Sequence, residues 1–149
     1  MEYTGNLVQQ SETKRNQAYP DPASGGSPWT IGYGHTGPEV HEGLWWDDDM
    51  CLAVLRKDLD WAVACINDQV TVRLTQNEFN ALVDFVFNIG GSSFRNSTLL
   101  KKLNSGDYAG AIAEFDKWDH AAGKVVQGLL NRRQKETELF EKGMTDGTA

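Results

Sequence analysis

The run Thr75-Gln76-Asn77-Glu78 constrains this chain more than any other. It reads as a capping box, in which a threonine hydroxyl and a glutamate carboxylate three residues apart each satisfy a backbone N–H at the start of a helix. Phe79, Leu82, Val83 and Val86 then recur at three- and four-residue steps, and Gly90-Gly91 ends the pattern. A helix with such a stripe needs an apolar partner, and the neighbouring sequence offers more helices. Asp47, Asp48 and Asp49 suit a first helical turn, and Leu52, Leu55, Leu59, Ala62 and Ile66 continue from them as one long helix. Ser97 to Leu103 makes a short helix closed by Gly106, Asp107 caps another through Trp118, and Leu129 to Lys142 forms the last.

The first forty residues read differently. Asn6 to Gln17 is polar, with Leu7 and Val8 as its few anchors, and gives only a weak helical signal. Pro20, Pro22, Gly25, Gly26 and Pro28 punctuate a turn, after which Trp29 to Tyr33 reads as a short strand. A small hairpin followed by helices makes an α+β chain that is mostly helical, with the hairpin too small to stand alone. The expected layout is one domain, with a hairpin lobe at about 17–44, a helical lobe at about 46–142 together with the N-terminal helix, and a flexible tail at 143–149. A groove between two such lobes suits a polymer.

Composition narrows the function. The chain has 149 residues, 40% apolar and 23% charged, as a folded globular domain does. No apolar run approaches the ~20 residues of a membrane-spanning helix. Met1 to Gln10 lacks the basic start and apolar core of a signal peptide, which predicts synthesis and folding in a cytoplasm. Cys51 and Cys65 fall in the long helix, about 21 Å apart at 1.5 Å per residue, too far for a disulfide. Two reduced, buried thiols are expected. A net charge of −7 disfavours a nucleic-acid partner. No His-Glu-x-x-His or second histidine at helical spacing suggests a metal or other cofactor.

Among many carboxylates, placement singles out Glu12 and Asp21. Glu12 ends the first helical segment and Asp21 sits at the turn of the hairpin, with Thr30 on the return strand. A pair of carboxyls brought to one groove wall is what glycoside hydrolysis uses, one to protonate the leaving oxygen and one to activate water. By residue type alone, Glu12 also reads as a surface helix residue, Asp21 between two prolines as a turn former, and Thr30 as an ordinary strand residue.

The run Ser11-Glu12, Ala18-Tyr19-Pro20-Asp21-Pro22, then Trp29-Thr30-Ile31-Gly32-Tyr33-Gly34-His35-Thr36-Gly37 resembles the signature of the tailed-phage lysozymes, or endolysins. Phe87-Asn88-Ile89-Gly90, Phe94 to Leu100, Asn104 to Asp107, Trp118 and Gly128 to Arg133 are similar to the lambdoid-phage branch of these muramidases. The likeness runs in order over about residues 6 to 142. It implies a lysozyme-like fold and cleavage of the β-1,4 bond between N-acetylmuramic acid and N-acetylglucosamine in bacterial peptidoglycan.

It further implies that Glu12 is the general acid, that Asp21 activates or orients water, and that Thr30 helps hold that water in an inverting displacement. Arg132 matches an arginine set against the acid. His35 matches the motif histidine, with Asp58 at the position of its carboxylate partner. Asn88 lines the groove by analogy, and Trp118 and Trp29 are the aromatics to watch near the cleft, although such residues more often belong to a core. The resemblance implies a monomer that works without a cofactor or membrane insertion. Such an enzyme waits in the host cytoplasm, gains access through a holin, and acts on the wall in the periplasm.

Departures from the pattern are the eight residues between Asp21 and Thr30 where five are usual, Thr13 in place of a glycine, and the polar Lys14-Arg15-Asn16 in place of a leucine-bearing stretch. The extra turn length is expected to bulge at its tip. The acidic balance is at odds with an anionic envelope. The alternative reading is a degenerate copy of the fold that binds peptidoglycan or serves as a scaffold. A lytic transglycosylase, which works from one glutamate, is disfavoured by Asp21 and Thr30.

Overall fold

A computed structural model describes residues 1–121 and 123–146. The chain divides into two compact units, one of residues 8–60 and one of residues 1–7 with those from 61 onward.

In the first unit, α1 (Leu7–Ser11) leads into β1 (Arg15–Tyr19), β2 (Thr30–Gly32) and β3 (His35–Thr36), an antiparallel sheet in the order β1-β2-β3. The weak helix expected to Gln17 therefore stops at Ser11, and Lys14-Arg15-Asn16 enters a strand. The polarity of that stretch now has a reason. Lys14 Nζ lies 2.7 Å from Asp48 Oδ1, and Asn16 Nδ2 donates to Asp48 Oδ1 at 2.9 Å and to the Trp46 carbonyl at 2.8 Å. Backbone bonds Ala18 N–H to Leu44 O and Trp46 N–H to Asn16 O lay the 44–46 segment along the free edge of β1. Asp47 then caps α2 (Asp48–Asp58), its side chain accepting from Met50 N–H at 2.8 Å. Ala18, Ile31, Val40, Trp46 and Cys51 form the core of this unit, with Trp29, Tyr33, Leu44 and Val54 packed against it.

The long helix expected from Asp47 to Ile66 is two, α2 and α3 (Asp60–Gln69), with Leu59 between them. Two aspartates flank the break, and aspartate is a poor interior helix former because its side chain competes for nearby backbone groups. Both cysteines are free thiols; Cys51 is buried, while Cys65 is only partly so.

The second unit is helical. α4 (Gln76–Ile89) begins with the expected capping box at Thr75, and Gly90 ends it at φ +95°. Residues 78–86 of α4 are all buried, its polar face included. The stripe read from the sequence thus understates the helix. α5 (Gly91–Arg95), not foreseen, follows directly, and α6 (Thr98–Asn104) is capped by Ser97 and α7 (Tyr108–Phe115) by Asp107. A 3-10 turn at Asp116–Trp118 leads to a small hairpin, β4 (His120–Ala121) with β5 (Lys124–Val125). α8 (Gln127–Asp146) packs along α4. The core is aromatic: Phe85 meets Phe115 edge-on at 5.0 Å and Trp118 at 6.0 Å, and Phe115 meets Phe140 at 5.7 Å.

α8 runs past the expected end at Lys142 because Gly143 is inside it and buried. A Cβ there would stand 2.3 Å from Thr75 Oγ1 and 3.0 Å from the Glu78 backbone N, so the bare glycine lets α8 close on the capping box of α4. Residues 147–149 of the expected tail lie outside the described residues. Among the described residues no helix is long and apolar enough to cross a membrane.

Candidate active site

The register of the ribbon relates the three candidate catalytic residues. Tyr19 of β1 is the partner of Thr30 on β2, and Arg15 is the partner of Gly32. Four steps along β1 therefore match two along β2, and the surplus is a bulge in β1. Asp21 stands two residues beyond Tyr19, at the Thr30 end. Glu12 stands three before Arg15, at the Gly32 end.

Glu12 follows α1, its N–H donating to Val8 O at 2.8 Å. Its Oε2 lies 3.4 Å from where a Cβ on Gly34 would be, so the carboxyl rests beside the bare turn between β2 and β3. Gly34 has φ +79°, a conformation that favours glycine, and any side chain there would crowd the carboxyl. Asp21 holds the mouth of its loop: its N–H donates to Gly26 O at 2.9 Å and its carbonyl accepts from Gly25 N–H at 2.8 Å. The long turn folds on itself there, leaving Thr30 in the sheet. Glu12, Asp21 and Thr30 are each half-buried.

His35 is gripped at both ring nitrogens, Nδ1 2.6 Å from Asp58 Oδ2 and Nε2 2.6 Å from Glu39 Oε1, with its ring 5.7 Å from that of Trp46. Burial works to lower the pKa of His35, but the hydrogen bonds to Glu39 and Asp58 together outweigh it and raise it. The bond to His35 likewise holds Glu39 below the ordinary carboxylate range. The expected Asp58 partner is present; Glu39 was missed. Its only signal was its place four residues after His35, in a loop where that spacing carries no helical meaning.

In the helical unit, Arg132 donates from Nε and Nη2 to the two oxygens of Asp84, at 3.0 and 2.8 Å. Asn88 sits half-buried near the end of α4, and Trp118 is half-buried against Phe85. Asp84 was overlooked, although an acid between Leu82-Val83 and Phe85-Val86 is itself a sign of a buried partner.

Comparison with known proteins identifies the family. The family described as phage lysozyme matches residues 9–136. The chain is 45% identical over 139 residues to an endolysin of Acyrthosiphon pisum secondary endosymbiont phage 1, covering 91% of this chain and 92% of that one. It is 44% identical over 115 residues to an endolysin of Bacillus phage PZA, covering 77% of this chain and spanning 45% of that longer protein. Among solved structures, a mutant of P22 lysozyme superposes with a TM-score of 0.84 at 34% identity, over 95% of this chain and 99% of that one.

Proposed function

The chain belongs to the phage lysozyme family, and from that premise we propose that Glu12, Asp21 and Thr30 are the residues with which it hydrolyses peptidoglycan. It is a glycoside hydrolase of the endolysin type, a muramidase acting on the β-1,4 bond between N-acetylmuramic acid and N-acetylglucosamine. Glu12 gives its proton to the glycosidic oxygen as the bond to the anomeric carbon breaks. Asp21 takes a proton from the water that attacks that carbon from the opposite face, with the Thr30 hydroxyl orienting the water. The product inverts at the anomeric carbon, and the two carboxyls return to their starting states by exchange with solvent.

The bulge in β1 carries this reading. It leaves only the two-residue rise of β2, about 7 Å, between the ribbon positions that flank Glu12 and Asp21. On this reading the carboxyls themselves stand ~6.5–9.5 Å apart, the separation that admits a water between them in inverting hydrolysis. His35 with Asp58 braces the ribbon against α2. Asn88 and Trp118 are substrate-binding residues on this reading, and Arg132 is a supporting cation of the reaction. Access to the wall through a holin, a stay in the host cytoplasm before release into the periplasm, and a monomeric enzyme complete the proposal.

Glu12→Gln should lower lysis of permeabilised Gram-negative cells by ~10²–10⁴-fold with an unchanged circular dichroism spectrum. Proton NMR of the parent reaction should show the first reducing sugar as the α anomer. A Glu12→Gln variant that lyses at the parental rate removes the acid assignment, and a β product removes the inverting role of Asp21.

A further inference from the structure

Besides Glu78 of the capping box, four charged side chains lie buried on α4 and α8 among the described residues: Asp84, Arg133 and Glu136 at 0% exposure and Arg132 at 8%. Ions taken out of water cost several kcal/mol each unless they pair and hydrogen-bond well. The aromatic core beside them needs no charge to pack, so the quartet calls for another reason.

The quartet is two bonded pairs. Asp84 receives Arg132 at both oxygens. Arg133 Nη2 donates to Glu136 Oε2 at 2.8 Å and its Nε lies 2.6 Å from Glu136 Oε1. The same guanidinium sits 5.1 Å over the Phe85 ring and reaches the Trp118 carbonyl with Nη1 at 3.4 Å. Burial, then the neighbouring Asp84 carboxyl, push Glu136 well above the ordinary carboxylate range. The charged groups on adjoining elements are committed elsewhere: Glu114 of α7 to Lys102 and Lys117, and Asp119 to His120.

Three members of the quartet are sealed and Arg132 alone reaches the surface. Asp84 occupies its Nε/Nη2 edge, so the Nη1 end of the planar fork is turned away from Asp84. We propose that Asp84 is a positioning residue for the hydrolysis, fixing the plane and direction in which Arg132 presents its charge. This rests on the reading of Arg132 as a supporting cation of the reaction. Asp84 touches no substrate; it acts through the arginine.

The test is a double-mutant cycle on the lysis rate, run well below the melting temperature of every variant as followed by circular dichroism. Asp84→Asn removes the charge at constant shape, and should slow lysis about tenfold to a hundredfold by loosening the guanidinium. Asp84→Glu, which restores the charge, should recover most of that loss. Adding Asp84→Asn to Arg132→Gln should cost nothing further, because the group through which Asp84 acts is already gone. A further loss on adding Asp84→Asn to Arg132→Gln would overturn the inference, as would a folded Asp84→Asn at the parental rate, or rates that follow the melting temperatures of the variants and not the charge restored by Asp84→Glu. If Asp84→Asn does not fold, the smaller Asp84→Ser replaces it under the same criteria. Arg132→Gln at the parental rate would instead remove the premise about the arginine, while Glu12→Gln tests the rest of the function separately.

Discussion

His35 is held between two acids, and the consequence is a stability that depends on pH from both sides. Its folded pKa is raised, so its contribution is fully present below the unfolded value of about 6.5 and is lost as pH rises through the higher folded value. Glu39 is lowered, so its contribution is present above about 4.3 and is lost as pH falls through the depressed value. The brace is therefore strongest between those limits. His35→Gln should cost on the order of 2 kcal/mol at pH 6, the worth of a charged hydrogen bond, and the difference from parent in thermal melts should shrink as the pH passes the folded pKa of His35. At this scale the sequence was informative where a motif names a pair, as for His35 and Asp58. It was silent where a partner is chosen by the fold: Glu39 reaches His35 across a loop, and Asp84 meets Arg132 from 48 residues away.

Elements were legible through their ends. Thr75 and Asp107 each cap a helix as expected, and Asp47 and Ser97, read as first residues of theirs, prove to be caps, because a cap is a local bargain between one side chain and the next turn. The bulge in β1 was not legible, since spacing counts residues while a bulge concerns which of them pair. The candidate site depends on it, so Glu12, Asp21 and Thr30 could be assigned only by resemblance. The end of α8 was also misjudged, because a glycine that usually stops a helix serves here as a contact surface. Gly143→Ala would ordinarily favour a helix by ~1 kcal/mol. Here the added methyl meets Thr75 and the Glu78 backbone, so the variant should be destabilised by about 1–3 kcal/mol, seen as a lower melting temperature; a rise would refute the close approach.

At the scale of the whole molecule, the charge of −7 means that encounters with an anionic envelope are opposed at long range, and added salt should relieve this. The lysis rate should rise as ionic strength increases from ~10 to ~150 mM; a fall would indicate that a local basic patch governs the encounter. The helical unit is also built from both ends of the chain. Thr4 N–H donates to Asn80 Oδ1 at 3.1 Å, Asn80 Nδ2 donates back to Thr4 Oγ1 at 3.1 Å, and Gln76 reaches the Glu2 carbonyl at 2.8 Å. On the ribosome, where segments emerge in order at ~5–20 residues per second, the opening residues must wait for α4 before they have anything to hold. Residues 8–60 are all available by then. A translation product stalled before α4 would carry the ribbon but lack the helix that ties its own opening residues into place.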